Sequence, residues 1–502
     1  MARVTRDINS RLVSRCVITS VNFALACCLA FVPACATRRQ PTVFDVGAVH
    51  VPAAGPAHAA SSPTTLTSYR RDEEGDLARG ADASLEQLAI VGSQAYAAES
   101  LASLEALAQS MNPQLRRLSQ EAAAAEAKTH YADKLPDPTV GANIFAHPIE
   151  TAAGSQRANL SVMQMIPWLS RLDAQSQQAF FEALSLQQVY NAERLKVVGS
   201  VRTLWYRLYI LGKQIETNRG NQQSLQLLIE VANARISTGQ ASSGDVLLGT
   251  LELSKLAGQI LTFEQQLVST KAELNRIIGR DTDHPLDVPT KLEPSLPDWT
   301  HGMLRQIAWE QQPEIAAAEL RIQATNWGLE VARLKRRPDL SLSASWFAID
   351  DNRPASNVVD VGRDGWSIGA QLSVPLWHHK YDAIEEEAEW KHSAAHASVD
   401  DVMHRYDSLL RDLWERAKTA EETAELYTET LLPQARQTLN VDRESYSNGT
   451  VEFDRVVRDF RGLLMLELGY YRAIGELAVA LARIQQAVGT DLASTPTLSG
   501  DP

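Results

Sequence analysis

A mainly α-helical chain with a small transmembrane β part is predicted, built from a duplicated helix–strand–strand–helix–helix unit. Three observations predict it. Landmark residues recur in order about 200 positions apart, two pairs of segments alternate apolar with small polar residues, and proline-free stretches keep heptad spacing for many turns. The 502 residues hold 61 acidic and 48 basic side chains, for a net charge of −13, the opposite of the balance that a nucleic-acid binder carries. Beyond residue 35 no apolar run is long enough for a membrane helix, which excludes a multi-pass helical protein.

The first 35 residues read as an export signal. Arg3, Arg6, Arg11 and Arg15 precede an apolar stretch from Val17 to Val32, followed by Pro33-Ala34-Cys35. Cys35 fits the lipid-accepting cysteine of a lipoprotein signal, and Ala34-Cys35-Ala36 also fits an ordinary cleavage site. A lipid on Cys35 would anchor the chain by its acyl chains, and Ala36 in place of an acidic residue favours the outer membrane. All four cysteines (16, 27, 28 and 35) lie in this segment, so the body has neither disulfides nor thiolate metal sites. Residues 36–83, rich in Ala, Pro, Ser, Thr and Gly, read as a linker, and 490–502 as a tail of similar character.

Between them, residues 84–290 and 291–489 are read as two copies of one unit. Asn112-Pro113 recurs as Gln312-Pro313, and Leu135-Pro136-Asp137-Pro138 as Arg337-Pro338-Asp339-Leu340, with Pro138 and Pro338 set 200 apart. Pro167 matches Pro375 at 208, while Gly239 matches Gly449 and Gly279 matches Gly489 at 210. Order, spacing and residue type are kept together, as a tandem duplication requires.

Each copy opens with a helix and then has two strands. In the second copy Leu340, Leu342, Ala344 and Trp346 alternate with Ser341, Ser343, Ser345 and Phe347. Trp366, Ile368, Ala370, Leu372 and Val374 then alternate with Ser367, Gly369, Gln371 and Ser373. Period two over about nine residues describes strands with one apolar and one small polar face. A hairpin on a soluble core fits this pattern, and so does a barrel segment with lipid on one side and water on the other. On the second reading Leu342, Trp346, Trp366, Ile368 and Leu372 face lipid. Four strands cannot close a barrel with a lumen and an open edge is not tolerated in lipid, so three copies would supply twelve strands.

The rest is helical. From Ser170 to Thr238 there is no proline, and Val201, Leu204, Leu208, Leu211 and Ile215 keep a 3-4 spacing that Tyr406, Leu410, Leu413, Ala417 and Ala420 repeat. A helix of that length extends about 100 Å at 1.5 Å per residue. After Gly239 and Gly449, which suit helix-ending turns, a second helix follows in each copy.

The segments Leu135-Pro136-Asp137-Pro138, Gln164-Met165-Ile166-Pro167-Trp168, Leu432-Pro433-Gln434-Ala435 and Tyr446-Ser447-Asn448-Gly449-Thr450 resemble the outer membrane efflux protein family, the TolC-like channels. The resemblance covers about Leu85 to Gly489. It implies a homotrimer with a twelve-stranded barrel in outer-membrane lipid and a long α-helical tunnel in the periplasm. It also implies partners, a periplasmic adaptor protein and an inner-membrane pump, that meet the tip turns at Gly239 and Gly449. Family members place acidic residues just past the tip glycine. Asp245 holds that place here, while the second copy has Arg455 there, with Asp454 before it and Arg458 beyond. A mixed Asp/Arg entrance constriction is one expectation for Asp245, Asp454, Arg455 and Arg458, and helix-start charges favoured by the dipole are the other.

His378-His379, Glu385-Glu386-Glu387 and the Asp281, Asp283, His284 group suggest no metal site, and no cofactor is expected. No nucleophile elbow, phosphate loop or HExxH appears, so the expected role is passive conduction as part of a tripartite efflux or type I export system, not catalysis. The corner at Pro167 resembles those of heavy-metal efflux members, and drug efflux is the other substrate expectation. A non-channel exported coiled-coil adaptor or scaffold is the competing role, distinguished by having no need of a lipid-facing band.

Overall fold

The structure is a computed structural model that describes residues 100–351 and 361–490, all within one unit spanning Glu73–Pro502. The export signal with Cys35, the linker and the tail beyond residue 490 lie outside the described residues. Element order repeats: α1 (Leu101–Met111), α2 (Pro113–Thr129), β1 (Thr139–Thr151), β2 (Gly154–Ile166), α3 (Leu169–Ser237) and α4 (Ser243–Ile278) come first. Then follow α5 (His301–Gln311), α6 (Pro313–Leu334), β3 (Asp339–Asp350), β4 (Gly365–Ser373), α7 (His378–Leu426), a π-helical turn (Tyr427–Leu431), α8 (Leu432–Ser447) and α9 (Phe453–Val488).

One helix before the strands is expected in each copy, and two are found. Pro113 and Pro313 sit at the first position of α2 and α6, where a missing N–H costs nothing, and they end the helix before them. The residue ahead of each proline ties its copy together. Asn112 Oδ1 accepts from the amides of Gln114 and Leu115 at 2.8 and 3.0 Å, while its Nδ2 donates to the Ile277 carbonyl at 2.6 Å. Gln312 Nε2 likewise donates to the Ala487 carbonyl at 2.8 Å. Each amide thus caps the end of the last helix of its own copy, satisfying a carbonyl that helix geometry leaves open.

The 69-residue α3 runs over the residues that the absence of proline indicates, and it buries Val201, Leu204, Leu208, Leu211 and Ile215. Its counterpart buries Leu410, Leu413, Ala417, Ala420 and Ala424, each 209 positions later. Past the π turn the matching residues are 210 apart, since Ile229 and Ile236 correspond to Leu439 and Tyr446. The π turn therefore absorbs one inserted residue, which is the usual content of a π bulge. Three apolar clusters fill the helical part. One is built on Leu104, Leu208 and Leu274, a second on Leu304, Leu410 and Ile484, and the third on Leu225, Leu256 and Phe453 from both copies.

The four strands form one antiparallel sheet in the order β1-β2-β3-β4. Val140 pairs with Val162, and Leu342 with Ala370. Because Val162 and Ala370 are related by the 208 spacing of Pro167 and Pro375, Val140 corresponds to Leu342 at 202. The match at the strand entrance is thus Pro136 with Pro338, which corrects the 200 spacing set on Pro138.

Candidate functional site

One face of the sheet is apolar and, among the described residues, uncovered. Val140, Ala142 and Ile144 lie beside Leu160 and Val162, which lie beside Ala344 and Trp346, which face Trp366 and Ile368. Ile144 is 87% exposed and both Trp366 and Ile368 are 75% exposed. The sequence-predicted set comes together here, since Trp346 faces Trp366 across the β3–β4 ladder, and Leu342 and Leu372 sit two residues apart on adjoining strands. Trp346 is half-buried and the other four are exposed. The opposite face carries Gly141, Asn143, Asn159, Ser161, Ser343, Ser345, Ser367 and Gly369, with Met163, Met165 and Phe347 among them. Such a large contiguous apolar surface is unstable in water. β4 is 9 residues long. At about 3.3 Å per residue it spans about 30 Å, and with a tilt of about 40° it covers roughly the 25 Å apolar band of a membrane barrel. Trp168 and Trp377, both exposed, stand just past the far ends of β2 and β4, where an interfacial aromatic girdle belongs.

The junction between the copies is fastened at that end. Arg171 Nη2 meets Asp339 Oδ1 at 2.7 Å, and the Trp168 amide donates to the same oxygen at 3.3 Å. Arg337 stands 5.8 Å from the Trp168 ring. Arg171 and Asp339 keep side-chain exposures of only 13% and 23%.

Gly239 and Gly449 end α3 and α8 with φ of 73° and 78°, a backbone conformation that glycine adopts without strain. The next amide reaches back in both turns, from Gln240 to the Arg235 carbonyl at 2.9 Å and from Thr450 to the Ser445 carbonyl at 3.0 Å. Arg235 joins the two turns, a link that sequence reasoning missed. Its guanidinium lies 4.5 Å from the centre of the Tyr446 ring, donates to the Tyr446 carbonyl, and reaches the Gln240 carbonyl at 3.2 Å. An arginine in a last helical turn with an aromatic 211 residues away carries no local signature that would have revealed it.

The four charged residues expected near these turns are placed as follows. Asp245 lies in the first turn of α4, capped by Ser242. Among the described residues the ion pairs of Arg455 and Arg458 run to Asp442 at 2.7 Å and Asp454 at 2.5 Å, not to Asp245. Asp442 is itself buried, and a shared hydrogen bond with Asp459 followed by Arg455 lowers its pKa, while burial and then Asp442 raise that of Asp459. His378 and His379 are exposed at the start of α7.

A second polar link crosses the copies. Glu252 of α4 is buried and accepts from Arg461 of α9 and from Lys255, the latter at 3.2 Å. Burial opposes its charge, but the two donors outweigh that and hold its pKa below the ordinary 4.5. A depressed carboxylate adds stability above its unfolded pKa and loses it as pH falls through the folded value. The α4–α9 contact should therefore weaken below about pH 4.5, and Glu252→Gln should cost about 2 kcal/mol at neutral pH but much less in acid. Thermal unfolding of both proteins at about pH 7 and pH 3.5 checks this, and an equal loss at both pH values would refute it.

Residues 304–490, nearly all of the second copy, match the family described as outer membrane efflux protein. The solvent efflux pump outer membrane protein SrpC of Pseudomonas putida is 21% identical over 210 residues, which cover 41% of this chain and 44% of SrpC. The chain thus spans less than half the length of that relative. The outer membrane protein OprJ of Pseudomonas aeruginosa is 22% identical over 394 residues, 74% of this chain and 79% of OprJ. The structure of the outer membrane protein VceC of Vibrio cholerae superposes with a TM-score of 0.66 at 18% identity, covering 78% of this chain and 96% of VceC. SrpC is named as the outer membrane protein of a solvent efflux pump, and the outer-membrane channel OprN superposes with a TM-score of 0.66 at 17% identity, covering 78% of this chain and 90% of OprN. Residues 304–490 thus match the outer membrane efflux protein family, and the repeated helical unit with its small sheet has the fold of these outer-membrane channels.

Proposed function

We propose that this outer membrane protein is the channel component of a tripartite efflux or type I export system. Three chains close a twelve-stranded barrel in lipid, and their helices continue it as a tunnel. The chain conducts passively, without catalysis, substrate delivered by a periplasmic adaptor and an inner-membrane pump, with heavy-metal ions or drugs as the substrate class. The observation that carries this reading is the uncovered apolar sheet face with both edge strands, β1 and β4, unpaired among the described residues. Leu247, Leu251, Leu261 and Val268, exposed along α4, add an apolar stripe for neighbouring subunits to share. On this reading residues 84–290 and 291–489 are the two repeats, Cys35 is the lipid anchor, and the turns at Gly239 and Gly449 form the periplasmic tip. Asp245, Asp454, Arg455 and Arg458 then lie at the entrance.

Purified protein should have a trimer mass in detergent and conduct ions in planar bilayers. A soluble monomer without conductance would overturn the proposal in favour of the scaffold role. Arg235→Ala should raise the open probability of the channel in the same bilayers. It removes a charged hydrogen bond and a ring contact between the two turns, about 2 kcal/mol together. Unchanged gating would show that Arg235 is structural only.

A further inference from the structure

The duplication puts a constraint on the edge strands. Two landmark spacings, 202 from Asp137 to Asp339 and 208 from Pro167 to Pro375, relate β1 to β3 and β2 to β4. Applied to the β1–β2 pair Val140 with Val162, they return Leu342 with Ala370, a pair present in the β3–β4 ladder. The 202 spacing that relates the two ladders is also the spacing of Pro136 and Pro338 at the strand entrance. The same relation can be applied to the ladder that joins the copies, β2 with β3. Its image joins β4 to β1, which are the two edges left open among the described residues.

We propose that β4 of one chain pairs antiparallel with β1 of a second copy in one register. In that register Gly369 faces Asn143 of the second copy and Ile368 faces its Ile144, closed at the strand foot by an ion pair between Lys380 and the second copy's Asp137. The inference rests on the channel reading above. Each pair is the image of an observed one: Ser161 with Ser345 gives Gly369 with Asn143, and Leu160 with Trp346 gives Ile368 with Ile144. Val162 with Ala344 gives Ala370 with Ala142, and Gln164 with Leu342 gives Leu372 with Val140.

The register satisfies a condition that was not imposed on it. From Trp366 to Ser373 the pairs set apolar against apolar, or polar residue or glycine against another, except Ser367 with Phe145, which repeats the observed Asn159 with Phe347, so the two faces continue across the seam. A slip by one residue would put Ile368 opposite Asn143 or Phe145 and break both faces.

The ion pair follows from the corner. Trp168 and Arg171 correspond to Trp377 and Lys380, both 209 later, and Asp339 corresponds to Asp137. Arg171 and Asp339 are largely covered where the copies join, whereas Lys380 and Asp137 are exposed in the single chain, as expected of a contact whose second half is on another molecule. The charges are complementary. Lysine in place of arginine keeps the attraction but loses the two-pronged geometry, so the seam between chains is the weaker of the two. Arg337, beside Trp168, has Leu135 as its image, which places an apolar side chain against Trp377.

Cysteine pairs test the register, and the body has no cysteine of its own to interfere. In the full-length protein in outer membranes, Gly369→Cys with Asn143→Cys should form covalent trimers under mild oxidation. Gly369→Cys with His147→Cys, four residues out of register, should not. Efficient cross-linking of the shifted pair, or of neither pair in a protein of trimer mass, would overturn the register while leaving the channel reading intact. A monomer mass would overturn both. For the ion pair, Lys380→Glu and Asp137→Lys should each lower the temperature at which the trimer dissociates in SDS, and the double exchange should restore it. Failure of the exchange to restore it would remove the pair from the seam.

Discussion

Ile368→Arg is expected to abolish the assembled protein in the outer membrane. Ile368 lies in the middle of β4 on the exposed apolar face, opposite Ala344 and 75% exposed. On that face a charged side chain at mid-depth costs about 2 to 4 kcal/mol, and a trimer carries the cost three times over. Its neighbour Ser367 points to the polar face, so Ser367→Arg should assemble normally and instead shift the channel toward anions. Outer-membrane fractions resolved by SDS electrophoresis without heating would show trimer for Ser367→Arg and none for Ile368→Arg. Equal trimer for both would mean that the apolar face does not meet lipid.

The second large effect is expected at the ends of the two copies. Gly279 and Gly489 close α4 and α9 with φ of 90° and 89°. A Cβ at Gly489 would stand 2.8 Å from the Gln311 carbonyl oxygen and 3.0 Å from two other backbone atoms, and at Gly279 it would stand 2.7 Å from the Met111 carbonyl oxygen. Those atoms are backbone beside a helix break, so they cannot move aside as a side-chain tip does. The left-handed conformation alone costs an alanine about 1 to 2 kcal/mol. Pushing the helix end away from Gln312 also puts at risk its 2.8 Å bond to the Ala487 carbonyl, about 1 kcal/mol more. Gly489→Ala and Gly279→Ala should therefore each lose about 3 kcal/mol or more. Gly258→Ala, inside α4 with open space around it, should be neutral or slightly stabilising. Thermal melts of the three variants followed by tryptophan fluorescence check this, and equal midpoints would refute it.

What could be read from the chain alone was whatever has a period. The heptads of Val201 to Ile215 and the zigzag of Leu340 to Trp346 are local patterns, and α3, β3 and β4 lie where those patterns run. The helix breaks before Pro113 and Pro313 were harder to see, because apolar spacing continues on both sides and only the capping amides of Asn112 and Gln312 show that the chain turns. Arg235 on Tyr446 and Glu252 with Arg461 were out of reach. Each joins side chains more than 200 residues apart, through packing of one copy on the other that no single segment encodes. The entrance charges were legible as residues and not as pairs. Whether Arg455 turns toward Asp245 or toward Asp442 depends on how α8 and α9 pack, which periodicity does not specify.

The π turn at Tyr427–Leu431 has a consequence for how the halves have drifted apart. One residue added to an α-helix rotates everything after it by about 100°, which would swing Leu439 and Tyr446 out of the interior. A single wide turn cancels that phase error locally, so Leu410 to Ala424 before it and Leu432 to Tyr446 after it still point the same way. A length mutation that would ordinarily scramble a seventy-residue rod is thereby confined to five residues, and the twin halves have been free to diverge in length without redrawing the interior they share.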